Sequence, residues 1–269
     1  MSTQLAIDAV KMHGTENSFI LIDERPPRLE AYAALARRLC VHDSEFRGAD
    51  GLLVVRDAPG FAAGMRIFNR DGSEAEMCGN GVRCVARYLA DRGAGDAFVI
   101  STLAGPIGVN VVSRDPFEAQ VDIGPVTFPN DARAETAPAA GAIWTFYDVS
   151  VGNPHAIVFV PDVSEPDLEA LGVTLNWVER FASGTNVHIV EVVDSSTLRV
   201  RHYERGVGLT QSCGTGAVAA AAAAIRVHGV SSPVTVVVPG GTLRVDWQPG
   251  ENARLTGPAE TMFERTISL

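Results

Sequence analysis

The chain repeats itself once. Two segments, Asn69–Gly81 (NRDGSEAEMCGNG) and Glu204–Gly216 (ERGVGLTQSCGTG), each end in a cysteine followed by Gly-x-Gly. Helix-like stretches follow at Val82–Ala90 and Ala217–Val227, and after a breaker come the strand-like runs FVISTLAGPIGVNVV and VTVVVPGGTLRVDW. Cys78 to Gly105 spans 27 positions, and so does Cys213 to Gly240. Asn17 lies 61 positions before Cys78, and Asn153 lies 60 before Cys213. Spacing duplicated in this way confines the chain to two homologous halves of about 136 residues each.

Strand signals dominate both halves. FILID, GLLVV, FVIST, AQVDI, AIVFV, VHIVEV and VTVVV are rich in β-branched residues and bounded by Gly, Pro and Asp. Helices are predicted at Arg28–Cys40, Val82–Arg92, Asp167–Leu171 and Ala217–His228. The expected class is α+β, with two pseudo-symmetric halves, each a mostly antiparallel sheet wrapped around a central helix. Residues 1–115 would carry Cys78 and residues 116–259 would carry Cys213, with a linker near Ser113–Phe117 and the tail 260–269 free to pack with the first half.

Bulk properties narrow the partners. A net charge of −10 and a pI near 5.1 disfavour nucleic acid, and no basic stripe is present. The opening MSTQLAIDAV has no basic n-region or apolar core, so no secretory signal is expected. The longest apolar stretch, Ala217–Val227, is broken by Arg226 and is too short for a membrane span. Four cysteines without a CxxC pair point to a reducing cytoplasm rather than to disulfides or a metal site. A small molecule is the expected ligand, and a homodimer is allowed. Neither GxxxxGK[ST], HExxH nor GxSxG occurs.

A cysteine at a helix start meets unpaired backbone N–H groups and the positive end of the helix dipole, which should stabilise its thiolate and lower its pKa. The same amides make a pocket for a carboxylate. Two such units suggest two thiols facing one anionic substrate, able to take a proton from one face of a carbon and return it to the other. Cys40 and Cys84 lie inside apolar runs and read as buried filler. Amides of Gly79, Asn80, Gly214 and Thr215 are placed to stabilise a carbanion beside a carboxylate.

The pieces KMHGTENSF, GADGLL, FNRDGSEAEMCGNGVRC, VGNPHAIVF, GTNVHIV, YERGVGLTQSCGTGA and VPGGTLRV run from Lys11 to Val245. In them the chain resembles the diaminopimelate epimerase family. The resemblance implies a fold of two pseudo-symmetric halves and interconversion of LL- and meso-diaminopimelate without pyridoxal phosphate or any other cofactor. It makes Cys78 and Cys213 the acid–base pair. Lys11 is the only lysine in the chain. Asn17, Asn69, Asn153, Asn186, Glu204 and Arg205 match substrate-contacting positions. Arg205 suits a bidentate grip on the distal carboxylate, and Glu204 suits an ammonium. His155 matches a histidine beside the catalytic pair, where it can help set the ionisation of Cys78.

Departures from the family pattern bear on the substrate. HGLGND becomes HGTENS, placing Glu16 and Ser18 around Asn17; FGIGADG becomes EFRGADG, with Glu45, Phe46 and Arg47; and GVGET becomes GVGLT, with Leu209. The alternatives to an epimerase are a related racemase of another polar amino acid in specialised metabolism, and a catalytically silent ligand-binding protein of the same fold.

Overall fold

The computed structural model describes residues 6–25, 31–42, 44–181 and 183–268. The first half of the chain runs β1 (Ala6–Gly14), β2 (Asn17–Asp23), α1 (Tyr32–Leu39), β3 (Gly51–Arg56), β4 (Ala63–Asn69), β5 (Glu74–Ala75), α2 (Gly79–Ala90), β6 (Ala97–Thr102), β7 (Gly105–Arg114) and β8 (Phe117–Pro125). Then follow β9 (Glu135–Ala139), β10 (Ala142–Ser150), β11 (Pro154–Phe159), α3 (Leu168–Leu175), β12 (Asn186–Val192), β13 (Thr197–Glu204) and β14 (Gly208–Thr210). The chain closes with α4 (Gly214–His228), β15 (Val234–Val238), β16 (Gly241–Asp246), β17 (Asn252–Pro258) and β18 (Glu260–Ser268). It divides into two units, residues 1–121 with 257–269, and residues 122–256.

The repeat read from the cysteine spacing is a repeat of topology. In the first unit β1 pairs antiparallel with β2, β2 parallel with β3, β3 antiparallel with β4, β4 parallel with β6, and β6 antiparallel with β7. In the second unit β10, β11, β12, β13, β15 and β16 pair in the same order and senses. β18 flanks β1 in the first unit as β9 flanks β10 in the second, both antiparallel. Each half is thus a mostly antiparallel α+β layer. Its two parallel steps need crossovers, supplied by α1 and α2 in one half and α3 and α4 in the other.

The central helices are α2 and α4. Within α2 only Arg87 is not buried, and Ala217–Ala224 of α4 are fully buried. The alanine run of α4 is apolar on every side and must be enclosed, whereas α2 buries Asn80 and Arg83 among its apolar residues. α2 packs on β1, β2, β3, β4 and β7, and α4 packs on β10 to β13, β15 and β16. The alanine run lets these strands come close to the α4 backbone.

The outer helices explain why β3 reads as an unbroken apolar run. Leu52 and Val54 join Tyr32, Leu35, Ala36 and Leu39 of α1 in one core cluster. Leu53 points the other way, against Gly81 of α2. A strand buried on both faces has no polar alternation to show. In β12, Val187 and Ile189 likewise join Leu168, Leu171 and Leu175 of α3, while His188 faces α4.

Several boundaries differ from expectation. α2 and α4 begin at Gly79 and Gly214, so each Cys-Gly-x-Gly already forms a first helical turn. The second glycine of each motif serves close packing. α1 covers Tyr32–Leu39; residues 28–30 of the expected helix lie outside the described residues. α3 runs on to Leu175. Ser113–Phe117 spans the tight β7–β8 hairpin within the first unit, with Asp115 and Pro116 as its turn, and the division falls between Val121 and Asp122. Asp115-Pro116 reads as a linker from sequence because hairpin turns use the same residues. Among the described residues no helix is long and apolar enough to cross a membrane.

Candidate active site

Both singled-out cysteines are helix N-caps in extended conformation. Cys78 has φ −145° and ψ 118°, and Cys213 has φ −123° and ψ 112°. The first amides of α2 and α4, from Gly79, Asn80, Gly214 and Thr215, lack intrahelical acceptors by the geometry of any helix start. The second glycine of each motif lets the helix start press onto the sheet. A Cβ at Gly81 would lie 2.9 Å from Leu53 Cδ2, and one at Gly216 would lie 2.5 Å from His188 Cε1.

In the first unit Cys78 is partly buried, and its Sγ stands 3.9 Å from Asn17 Oδ1. That oxygen also accepts from Asn80 Nδ2 at 3.1 Å. Asn17 Nδ2 donates to Asp50 Oδ2 at 2.8 Å, and the Ser18 amide donates to the same oxygen at 2.7 Å. Asp50 therefore fixes which way the Asn17 amide points. No role for Asp50 emerged from the sequence, although GADG was singled out there. The β1–β2 turn carries Thr15 at φ +50° and Glu16 at φ +61°. Glu16 thus replaces glycine in the left-handed conformation that favours glycine. Lys11, buried by its neighbours, donates to Ser18 Oγ and the Gly48 carbonyl and ties this loop to β1; burial lowers its pKa. Asn69 Nδ2 donates to Ser73 Oγ at 2.9 Å.

The buried Arg83 guanidinium lies behind the Cys78 helix start. Its Nε donates to the Pro258 carbonyl at 3.1 Å and its Nη2 to Thr15 Oγ1 at 3.3 Å, pinning the β1–β2 turn against α2. Burial brings its pKa down to about 10, so it stays cationic at neutral pH.

In the second unit Cys213 is buried. Its Sγ accepts from the Gly216 amide at 3.4 Å and lies 3.7 Å from Thr215 Oγ1. The expected lowering of its pKa is overturned. Enclosure and the Glu204 carboxylate push the thiol well above 9.0, outweighing the Thr215 and Gly216 contacts that favour thiolate. Cys213 is therefore a thiol at rest. Glu204 Oε1 accepts from Thr210 Oγ1 at 2.6 Å, which steadies the carboxylate beside the sulfur.

Of the remaining expected residues of this unit, Asn186 and Arg205 are tied to backbone, and Asn153 and His155 to other side chains. Asn186 Nδ2 donates to the Pro154 carbonyl at 3.1 Å, and its Oδ1 accepts the Arg205 amide at 3.0 Å. Arg205 is exposed, and its Nη1 donates to the Ser183 and Gly184 carbonyls at 3.0 and 3.4 Å. Asn153 Oδ1 faces His155 Nε2 at 2.9 Å, and His155 Nδ1 faces His188 Nε2 at 2.9 Å. His155 is fully buried in the unit that carries Cys213, where desolvation and then His202 and Arg205 lower its pKa to about 3. Cys40 and Cys84 are buried, free and pushed up to about 12, as filler thiols should be. Among the described residues no group of three or more His, Cys, Asp or Glu is arranged to hold a metal ion.

The fold recurs in distant solved structures. A Bacillus anthracis phenazine biosynthesis protein of the PhzF family superposes with a TM-score of 0.74 at 17% identity, covering 98% of this chain and 99% of that one. A hydroxyproline epimerase from Agrobacterium vitis gives 0.67 at 16% identity, over 98% and 91%. Nearer relatives are found by sequence. The diaminopimelate epimerase of Rhizorhabdus wittichii is 40% identical over 96% of this chain and 94% of its own length. That of Pelotomaculum thermopropionicum is 36% identical over 94% and 96%. The family model for diaminopimelate epimerase matches residues 9–129 and 147–262, so the chain belongs to the diaminopimelate epimerase family.

Proposed function

We propose that the protein is a cofactor-independent isomerase that interconverts LL- and meso-diaminopimelate by proton transfer at Cα between two thiols. The observation that carries this is the duplication itself. In a chain of this family, each half caps its central helix with one cysteine at the same point of the same topology. One thiolate takes the α-proton and becomes a thiol. The electron pair left on carbon spreads into the adjacent carboxylate, and the other cysteine delivers its proton to the opposite face and becomes the thiolate. The reverse reaction exchanges the roles.

The resting protonation of Cys213 makes it the donor for one direction, with Cys78 the base. Amides of Gly79, Asn80, Gly214 and Thr215 would hold the charge that develops on the carboxylate. Asn17, Asn69, Asn153, Asn186, Glu204 and Arg205 would bind the substrate's remaining groups. None of the four cysteines is in a disulfide, which fits the reducing cytoplasm where lysine and peptidoglycan precursors are made.

The test is incubation with LL-diaminopimelate in deuterated water, beside a panel of other amino acids. Appearance of the meso isomer with deuterium at Cα is the expected result, and Cys78→Ala and Cys213→Ala should each abolish it while remaining folded. Preferred turnover of an amino acid with a single head would install the racemase reading. Ligand binding without exchange into any amino acid would install the binding-protein reading.

A further inference from the structure

The two halves fill one set of equivalent core positions differently. In the first half Phe19 of β2, Leu53 of β3 and Ile67 of β4 line the sheet, all buried. Phe19 stands opposite Gly51 in the register and Leu53 opposite Ile67. In the second half His155 stands opposite Asn186, and His188 opposite His202. His155, His188 and His202 therefore hold the places of Phe19, Leu53 and Ile67. The fold accepts hydrocarbon at all three, so enclosing three imidazoles is not a demand of the architecture. Polar groups placed in a core cost stability unless their hydrogen bonds are made.

The bonds they make have a direction. His155 Nδ1 lies 2.9 Å from His188 Nε2, and His188 Nδ1 lies 2.8 Å from His202 Nδ1. The ring nitrogens are spent on one another, forming a chain and not a convergent ligand set. Burial lowers the pKa of all three, His155 and His202 to about 3 and His188 well below its usual 6.5, so each ring is neutral with one N–H and one lone pair. Asn153 Oδ1 can only accept, which assigns the His155 proton to Nε2. His155 Nδ1 must then accept from His188 Nε2, and His188 Nδ1 from His202 Nδ1. This leaves His202 Nε2 with a lone pair, and that atom is buried without a hydrogen-bond partner among the described residues. One tautomer set satisfies every contact.

We infer that His188 and His202 are positioning residues: by fixing the His155 proton on Nε2, they hold the Asn153 carbonyl inward and turn its NH2 to the substrate. The inference rests on the proposed substrate contact of Asn153. His188 also lies against Gly216 in the first turn of α4, so the chain is packed on the segment that carries Cys213.

Nitrogen-15 NMR of histidine-labelled protein tests the chain without substrate. At neutral pH His155 and His188 should be protonated on Nε2 and His202 on Nδ1. Any other tautomer set, or a charged His155, overturns the inference. Two variants then test its consequence. His202→Leu removes the terminal donor, so His155 should lose its single tautomer. KM for diaminopimelate should then rise about three- to tenfold, the worth of one net hydrogen bond, with kcat within about twofold. In His202→Asn the amide NH2 stands near the former Nδ1 and should restore both spectrum and KM. An unchanged KM in His202→Leu, or equal loss in both variants, overturns it. If His202→Leu does not fold, the Asn variant must still show Nε2–H on His155 and a parent-like KM. A parent that ignores diaminopimelate defeats the proposed function alone, because the spectrum still decides the chain.

Discussion

A Cβ placed on Gly216 would fall 2.5 Å from Cε1 of His188 and 3.1 Å from the Cys213 sulfur. The glycine is what allows the His188 imidazole to pack onto the first turn of α4 beside the Cys213 sulfur. Its counterpart Gly81 meets Leu53 Cδ2 at 2.9 Å, the far end of a flexible side chain. Gly216→Ala should cost about 1–3 kcal/mol of stability, as overpacked cores do, and Gly81→Ala less. Chemical denaturation of the two variants measures both, and the reverse order would refute this account of the motif.

Asp50 is expected to act through Asn17. Its Oδ2 receives both the Asn17 amide and the Ser18 N–H, so Asp50→Asn should free the Asn17 side chain to turn over. A charge-assisted bond of about 1.5–3 kcal/mol is at stake, so kcat/KM for diaminopimelate should fall roughly ten- to hundredfold. Steady-state kinetics beside a melting curve checks this. Parent-like kinetics in a folded variant would leave Asp50 a purely structural residue.

Cys213 should titrate above an ordinary thiol. Its folded pKa is raised, so this thiol favours the folded state below about 9 and that benefit disappears as pH climbs through the folded value. Thiolate absorbance followed in a background with Cys40, Cys78 and Cys84 all replaced by alanine isolates it. Glu204→Gln removes the neighbouring charge and should move the midpoint down. A midpoint at or below 9 in the unsubstituted Glu204 background would contradict the assignment of Cys213 as the resting acid.

The histidine chain predicts acid lability. His155 and His202 titrate near 3 when folded and near 6.5 when unfolded, so the unfolded chain binds more protons between those values. Stability is therefore full above about 6.5 and falls as pH falls, each ring adding up to about 1.4 kcal/mol per pH unit. Denaturant midpoints at pH 7, 6 and 5 should drop accordingly, and His202→Leu should flatten the slope. An equal slope in that variant would show the rings to be charged or solvated in the folded state.

Much of this protein is written locally in its sequence. The duplicated Cys-Gly-x-Gly places two helix starts. Apolar runs such as GLLVV mark strands buried on both faces, and the alanine run of α4 marks a helix enclosed by sheet. These features depend on side-chain period and backbone conformation over a few residues, so they survive being read in one dimension. β18 does not: seven of its nine residues, all but Phe263 and Ile267, are exposed, and its strand exists because it pairs with β1 from the far end of the chain. The histidine chain was equally hidden, since His155 and His188 lie 33 positions apart and His188 and His202 lie 14 apart, and only strand register makes them neighbours. The protonation of Cys213 escapes the local sequence for a related reason. A helix start favours thiolate wherever it occurs, but enclosure and the approach of Glu204 are decided by tertiary packing, and here desolvation outweighs the dipole.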